Sequence, residues 1–304
     1  MSNVLGEDVA ALLEGAKHEV LIVAPFIRSE ALGRLLDRVP RTTSVKVVTR
    51  WRLPELRAGV ADLAIYDLLT ERNATLLIRQ DLHAKLFAAD GRCLVGSANV
   101  TLAALGWRTE SNLELLVPYD RTEEHVALFE QELLRTAVLA SEELRTKLED
   151  CLQILEEQSV AMPGISEETA ALPPDWIPSI RNPEDLYRAY SGHSELEGLV
   201  GRAVRRELDL MGVPPGLNEE TFDAWIAVNI RQTPLVAGVL QRVDTYGEVT
   251  ETDVIELLGA IGGSPSAYQP RDVLEGLERW LSCFLNVQYE TARDSIKLIR
   301  ARRI

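Results

Sequence analysis

Over the first 120 residues, short apolar runs rich in β-branched side chains alternate with segments that have helical spacing. The runs EVLIVAPFI, SVKVVTRW and ATLLIRQ fit buried strands, and EALGRLLDRV and AGVADLAIYDLLTER fit helices that connect them. HAKLFAAD, CLVGS and LELLVPY continue the series as further strands. This alternation predicts an α/β fold, with a sheet covered by helices.

The chain beyond residue 120 has a different pattern, which predicts further domains. Helical spacing from about residue 122 to 158 indicates a helical extension at 121–160, after a first domain at 1–120. Five prolines between residues 159 and 185 indicate a linker, which we place at 161–183. Residues 184–304 are predicted to form a mostly helical domain. Its first helix has an apolar stripe at Leu196, Leu199, Val200, Ala203, Val204 and Leu208.

The end of the chain resembles a winged helix, because three helical segments precede two strand-like runs. One of the helices begins with a capping-box pattern at Thr250 and Asp253. The helix that would read a DNA groove, residues 271–282, carries two arginines against three acidic residues. Such a surface suits a major groove poorly. We therefore expect residues 184–304 to bind a protein partner, with DNA contact as the alternative.

Composition limits the classes to which this chain can belong. Of its 304 residues, 46% are apolar and 26% are charged, as in an ordinary globular protein. The net charge of −15 argues against indiscriminate nucleic-acid binding. Residues 1–100 nevertheless hold thirteen lysines and arginines against twelve acidic residues, so we expect any anion site there. The cations of this part include Lys46, Arg50, Arg52, Arg57, Arg72 and Arg79.

Several features bear on location and cofactors. No apolar run approaches the ~20 residues of a membrane helix, and the N-terminal segment lacks the pattern of a signal peptide. Cys93, Cys151 and Cys283 have neither disulfide nor zinc-site spacing. The sequence therefore predicts a cytoplasmic protein with no membrane partner, no cofactor and no metal.

The segment HAKLFAADGRCLVGSANVT, residues 83–101, concentrates side chains that can perform chemistry. If HAKLFAAD is a strand, His83 and Lys85 project from the same face, because side chains alternate along a strand. A turn at Asp90 would return the chain, and Gly-Ser-Ala-Asn at 96–99 would leave the end of the second strand. Such a hairpin brings an imidazole, an ammonium, a hydroxyl and a carboxamide around one point, which suits a phosphate group.

These residues resemble the signature of the phospholipase D superfamily, which is His-x-Lys, four residues, Asp, and then Gly-Ser-x-Asn. The matching positions are His83, Lys85, Asp90, Gly96, Ser97 and Asn99. Five residues separate Asp90 from Gly96, where the family usually has six. The resemblance covers about residues 10–120. It implies a phospholipase D-like mixed β-sheet flanked by helices, followed here by the mostly helical, winged-helix-like domain.

The resemblance implies metal-independent cleavage of a phosphodiester through a phosphohistidine intermediate. The residues assigned to the site are His83, Lys85, Asn99 and Glu114 for catalysis, with Ser97 and Asp90 for substrate binding. His83 would attack phosphorus, and Glu114 would orient its imidazole, with Glu110 as the fallback for that role. Trp51 and Trp107 could stack on bases, although core packing is the better interpretation of both.

The chain contains one His-x-Lys motif, since His18, His125 and His193 are not followed by x-Lys. Superfamily members with a single motif build the site from two chains, so a homodimer through the catalytic domain is implied. Such members are typically nucleases. This favours a nuclease acting on DNA rather than RNA, and the family alone suggests a role in bacterial genome defence.

Two other functions stay open. One is a catalytically silent or partner-activated scaffold subunit of a nucleic-acid-processing complex. The other is a phosphodiesterase that acts on phospholipids or other diesters.

Overall fold

The computed structural model describes residues 4–162, 171–193, 198–262, 269–285, 289–291 and 298–300. The chain divides into two compact units, Met1–Thr146 and Lys147–Ile304. Among the described residues, no helix combines the length and the apolar character that are needed to cross a bilayer.

The first unit follows the predicted alternation of strands and helices. Its elements are α1 (Leu5–Glu14), β1 (Glu19–Val23), α2 (Ser29–Leu36), β2 (Ser44–Thr49), α3 (Leu53–Arg57), α4 (Ile65–Thr70), β3 (Thr75–Ile78), β4 (Leu86–Ala89), β5 (Arg92–Gly96), β6 (Leu116–Asp120), α5 (Glu124–Thr136) and β7 (Val138–Leu139). Helix α6 (Glu142–Glu157) runs from this unit into the next.

The seven strands form one mixed sheet in the order β6-β5-β4-β1-β2-β3-β7. β1 pairs in parallel with β2, and β2 with β3, whereas β1 with β4, β4 with β5, β5 with β6 and β3 with β7 are antiparallel. Every residue of β4 is buried, as expected for a central strand with helices over the sheet. The predicted fold class, a mixed sheet flanked by helices, is confirmed.

The predicted helical segment from residue 122 to 158 is interrupted in the structure. Ala137, which follows α5, has an extended backbone with φ −77° and ψ 140°. The next two residues form β7, in which Val138 pairs with Ile78 at the edge of the sheet. This pairing satisfies backbone groups of β3 that would otherwise lack a partner strand on that side. α5 and β7 therefore lie in the first compact unit, together with the sheet.

The second unit is mostly helical. Its elements are α7 (Glu184–Tyr190), α8 (Gly198–Leu210), α9 (Glu219–Ile230), α10 (Pro234–Tyr246), β8 (Glu248–Val249), α11 (Glu251–Ala260), α12 (Pro270–Leu285), β9 (Tyr289–Thr291) and β10 (Leu298–Arg300). The three short strands pair in the order β8-β10-β9. In chain order, α10, α11 and α12 precede the paired strands β9 and β10. The winged-helix likeness of this region stays a prediction. Thr250 and Asp253 form the predicted capping box of α11.

Two details of the second unit differ from prediction. The described part of the predicted linker is packed, with Trp176 buried and its indole N–H donating to the Glu207 carboxylate at 2.8 Å. The predicted apolar stripe of the first long helix is only partly buried: Val204 is buried, but Leu199 and Val200 are 78% and 51% exposed. The buried face of helix α8 also includes Glu207, whose carboxylate binds Trp176 and Ser179. Position 196 of the predicted stripe lies outside the described residues.

Candidate active site

His83 and Lys85 lie in the segment that leads into β4. The sequence predicts a strand from residue 83, but β4 begins at Leu86, opposite Val23, the last residue of β1. The β1–β4 ladder ends at this pair, so His83 and Lys85 lie just beyond it, before the strand begins. The His83 side chain is exposed, and the Lys85 ammonium donates to the carbonyl oxygen of His83 at 2.9 Å.

The Gly-Ser-x-Asn turn meets this segment across the β4–β5 pair. The backbone N–H of Gly96 donates to the carbonyl oxygen of Lys85 at 3.3 Å, which brings the two halves of the motif together. A side chain at Gly96 has no room, since a Cβ there would lie 1.9 Å from the carbonyl oxygen of Leu115. The glycine of the motif is therefore required by the close approach of β5 to the chain that enters β6.

Glu114 lies beside the motif and binds Ser97. The Ser97 hydroxyl donates to the Glu114 carboxylate and accepts the backbone N–H of Leu115 at 3.1 Å. Asn112 also donates to Glu114, at 3.1 Å. These bonds fix the turn after β5, and they give Ser97 a structural contact in addition to its predicted role in substrate binding. Glu110, the fallback for the orienting carboxylate, is exposed.

Asn99 joins the turn to the loop that follows β1. Its carboxamide oxygen accepts the backbone N–H of Phe26 at 3.3 Å. The next residue, Val100, exchanges backbone bonds with the same loop, accepting from Arg28 and donating to Phe26. Because the oxygen of the Asn99 side chain faces Phe26, its NH₂ group is the end that can donate to an anion.

Asp90 is located at the opposite end of β4, about 16 Å from Lys85 along the strand. It forms the β4–β5 turn with φ 50°. Its carboxylate accepts the backbone N–H groups of Lys17, His18 and Glu19 at 2.8–3.0 Å. The bonds from Glu19 and Lys17 are the main reason that the pKa of Asp90 falls to about 2. The structure thus separates Asp90 from the other motif residues and gives it an architectural contact.

A buried charged network supports the segment that carries His83. The side chains of Arg50 and Glu55 are 2% and 0% exposed and form a bidentate pair, with one N–O distance of 3.0 Å and another of 2.5 Å. Arg50 also donates to the carbonyl oxygen of Leu82 at 2.8 Å, and Arg52 donates to that of Gln80 at 2.9 Å. Burial, together with the charge of Arg50, lowers the pKa of Arg52 to about 10, which keeps it charged at neutral pH.

This network is the part of the site that sequence reasoning missed. Arg50 and Arg52 are among the cations expected near an anion site, but the structure buries them under the backbone of residues 80–82. The available signal was the position of both arginines directly after a buried strand, followed by Glu55 one helical turn later.

The two tryptophans near the motif are not displayed as stacking platforms. Trp51 is 0% exposed, in agreement with core packing. Trp107 is partly buried, with the Arg34 guanidinium 4.8 Å from its ring centroid and its indole N–H donating to Glu7 at 3.1 Å.

An exposed apolar strip borders the site at the edge of the sheet. β6 is the terminal strand, and exposed apolar side chains recur at alternate positions in and before it. They are Leu113, Leu115, Val117 and Tyr119, which are 103%, 65%, 38% and 41% exposed. Alternation places them on one face of the extended chain.

No protein-family model and no curated protein matches the chain. Several solved structures are similar to part of the chain. Residues amounting to 44% of this chain are similar to 89% of NucT from Helicobacter pylori, with 18% identity and a TM-score of 0.37. The match with a phospholipase D family member, Nuc from Salmonella typhimurium, covers 45% of this chain and 90% of the Nuc chain, with 20% identity and a TM-score of 0.35.

A third similar structure is phosphatidylserine synthase from Haemophilus influenzae Rd KW20. The match covers 49% of this chain and 41% of the synthase chain, with 16% identity and a TM-score of 0.38. One of these similar structures is described as a phospholipase D family member, the superfamily whose motif the sequence resembles. At these identities and TM-scores the likeness concerns the fold and says nothing of the substrate.

Proposed function

We propose that the protein is a metal-independent phosphodiesterase, a nuclease that cleaves DNA rather than RNA. The observation that carries this proposal is the bond from the Gly96 N–H to the Lys85 carbonyl oxygen, which joins the His-x-Lys segment to the Gly-Ser-x-Asn turn. An exposed imidazole beside an ammonium and an amide donor supplies a nucleophile and two groups that can stabilise a phosphate.

In the proposed reaction, a ring nitrogen of His83 attacks phosphorus. A P–N bond forms and a P–O bond breaks, and the leaving oxygen takes a proton from the His83 imidazolium of a second chain. Water then attacks the phosphohistidine and gives its proton to that second imidazole, so the P–N bond breaks and both rings return to their starting states. Lys85 and the Asn99 NH₂ group stabilise the negative charge on the non-bridging oxygens.

The proposed reaction requires a second chain, because each turnover needs a nucleophile and an acid and the chain has one His-x-Lys motif. A homodimer through the first unit supplies both. The exposed apolar strip at Leu113, Leu115, Val117 and Tyr119 supports this proposal, because a partner would remove it from water.

We further propose that the protein works in the cytoplasm, where its three cysteines stay reduced, and that residues 184–304 bind a protein partner. A role in genome defence belongs to this proposal on family grounds alone. The alternative substrate class, phospholipids and other diesters, is retained because the site recognises the phosphate group that they share.

One assay tests the proposal. Purified protein is incubated with labelled single- and double-stranded DNA and RNA, with phosphatidylcholine vesicles, and with methyl p-nitrophenyl phosphate, each with and without EDTA. We expect DNA cleavage that survives EDTA and is lost in His83→Ala. Loss of activity in EDTA that magnesium restores would overturn the phosphohistidine mechanism. Cleavage of the vesicles alone would support the phospholipid alternative, and no cleavage of any substrate would support the scaffold alternative.

A further inference from the structure

A small pocket of about 200 Å³ opens beside His83, between the segment before β4 and helix α5. Leu82, Phe129 and Leu133 form its apolar walls, and Arg79, Asp81 and Glu132 form its polar rim. It is smaller than the ~300–1,000 Å³ pockets that hold drug-sized ligands. Its size and its position beside the proposed nucleophile suit one ring system attached to the reacting phosphate.

The rim of this pocket is held in place by Arg79. Its guanidinium donates to Asp81 at 2.6 and 3.2 Å and to the carbonyl oxygen of Glu132 at 3.2 Å, and it also binds the Thr136 hydroxyl. These bonds tie the segment before His83 to α5. They also use the donors of Arg79 within the protein, so the arginine is not presented to a ligand phosphate.

The charged groups on the rim of the pocket are paired within the protein. Arg79 contacts both Asp81 and Glu132, and Arg135 binds Glu132 at 2.6 Å, so the two carboxylates face two guanidinium groups. Carboxylate oxygens accept hydrogen bonds from ring and exocyclic N–H groups, as in contacts between acidic side chains and the amino group of cytosine. Phe129 is partly buried against the core and offers an aromatic wall. The pocket therefore suits a flat, uncharged ring that carries N–H donors.

We propose that this pocket binds the nucleobase adjacent to the scissile phosphate. The inference rests on the proposed function, because it takes the position of the phosphate from His83. It deepens that function by assigning a base-binding role to Phe129, Asp81 and Glu132, which lie outside the superfamily motif. Stacking of a base on an aromatic side chain typically contributes about 5- to 150-fold in affinity.

The test uses substrates that contain a single scissile bond. They are the 3′ and 5′ p-nitrophenyl phosphodiesters of deoxycytidine, the same two esters with the base replaced by hydrogen, and methyl p-nitrophenyl phosphate. We expect the full-length wild-type protein to prefer one deoxycytidine isomer over its abasic counterpart by at least about 5-fold in kcat/KM. Phe129→Leu keeps apolar volume but removes the aromatic wall, and it should abolish that preference, with each variant's own cleavage of the methyl ester as the internal reference.

Leu128→Ala is the matched control, because Leu128 neighbours Phe129 on α5 but is 58% exposed and does not line the pocket. It should retain the wild-type preference. If base removal lowers kcat/KM by the same factor in wild type and in Phe129→Leu, the pocket does not bind the base and the inference is overturned. Equal cleavage of base-containing and abasic esters by the wild type would also overturn it. Failure to cleave even the methyl ester would instead overturn the proposed function.

Discussion

Arg50 donates a hydrogen bond of 2.8 Å to the carbonyl oxygen of Leu82, the residue that precedes His83. Arg50 is itself fixed by its bidentate pair with Glu55, and both side chains are buried. The backbone that carries His83 therefore rests on a rigid charged group, although the imidazole is exposed. We infer that Arg50 is a positioning residue, since it acts on His83 through the backbone.

Arg50→Lys should lower kcat for methyl p-nitrophenyl phosphate by about 10²-fold, with a smaller change in KM. Lysine keeps the charge but cannot bind Glu55 and the Leu82 carbonyl oxygen in the fork geometry of a guanidinium. Arg121→Lys is the control. Arg121 makes a comparable paired contact with Glu130 and Glu19, but it also binds the carbonyl oxygen of Asp90 at the far end of β4. Equal kcat in the two variants, corrected for the folded fraction, would show that Arg50 contributes only stability.

The glycine of the Gly-Ser-x-Asn turn gives a second prediction. Gly96→Ala places a Cβ against the carbonyl oxygen of Leu115, so β6 and the turn cannot keep their present separation. We expect a lower melting temperature and loss of cleavage. Gly91→Ala, in the turn at the other end of the same hairpin, meets nothing within 4 Å and should behave as wild type. Thermal unfolding and cleavage of both variants check this, and a fully active Gly96→Ala would contradict the described packing.

Gly96 and Arg50 illustrate how much of the site was predictable from sequence. The motif order and the periodicity of the flanking runs were sufficient to predict the sheet, the hairpin and the meeting of Lys85 with the Gly96 turn. The support from Arg50 was not predictable. Its bond to Leu82 joins positions 32 residues apart, and only the parallel pairing of β2 with β3 brings these segments together.

The same reasoning bears on Asp90, which the sequence correctly places in the turn after β4 but which the motif assigns to substrate binding. In the sequence it is one of several polar residues in a short segment, and proximity along the chain suggests one shared cluster. A strand extends about 3.3 Å per residue, so the four residues of β4 carry Asp90 to the other end of the strand.

The buried face of α8 also differs from the face that its apolar residues predict. Glu207 is buried because it binds Trp176 and Ser179, and the sequence of α8 itself does not reveal these partners.

Asp90→Asn tests the architectural role of this carboxylate through its pH dependence. The pKa in the folded protein is about 2, below the ordinary value of 3.8. A lowered pKa means that the ionised group stabilises the fold at pH values above about 4, and that this contribution is lost as the pH falls towards 2. Asparagine tolerates the positive φ at this position, but it lacks the charge.

We therefore expect Asp90→Asn to melt at a lower temperature than wild type at pH 7. The difference should shrink between pH 4 and pH 2, as measured by thermal unfolding monitored by circular dichroism. The kcat of the folded variant should equal that of wild type. A large rise in KM with an unchanged melting temperature would instead support the substrate-binding role that the motif suggests.

Glu114 presents two roles that can be separated by experiment. Its carboxylate accepts hydrogen bonds from Ser97 and Asn112, and the resemblance to the superfamily assigns it a second role, the orientation of His83. Ser97→Ala removes the turn contact alone, whereas Glu114→Gln removes the charge and keeps the size. If Glu114 orients the imidazole, as the resemblance to the superfamily implies, Glu114→Gln should lower kcat far more than Ser97→Ala does, with substrate binding retained. Glu110→Ala is the control, and loss of activity in that variant but not in Glu114→Gln would transfer the role to Glu110.

The last prediction concerns the proposed assembly of each active site from two chains. If one His83 attacks and the other protonates the leaving group, a dimer with one His83→Ala chain has lost one of the two groups. Equal amounts of wild-type and His83→Ala chains, exchanged to equilibrium, should then show about a quarter of the wild-type activity, because about a quarter of randomly assembled dimers carry two intact chains. Independent active subunits would give about half.

The measurement is cleavage of labelled DNA at constant total protein, with sedimentation to verify the dimer. Leu36→Ala, a buried substitution in α2 away from the motif, provides a destabilised but motif-intact chain for the control mixture. That mixture should retain more activity than the His83→Ala mixture at the same folded fraction. A strictly monomeric species that cleaves DNA, or activity that falls in linear proportion to the His83→Ala fraction, would contradict the shared site.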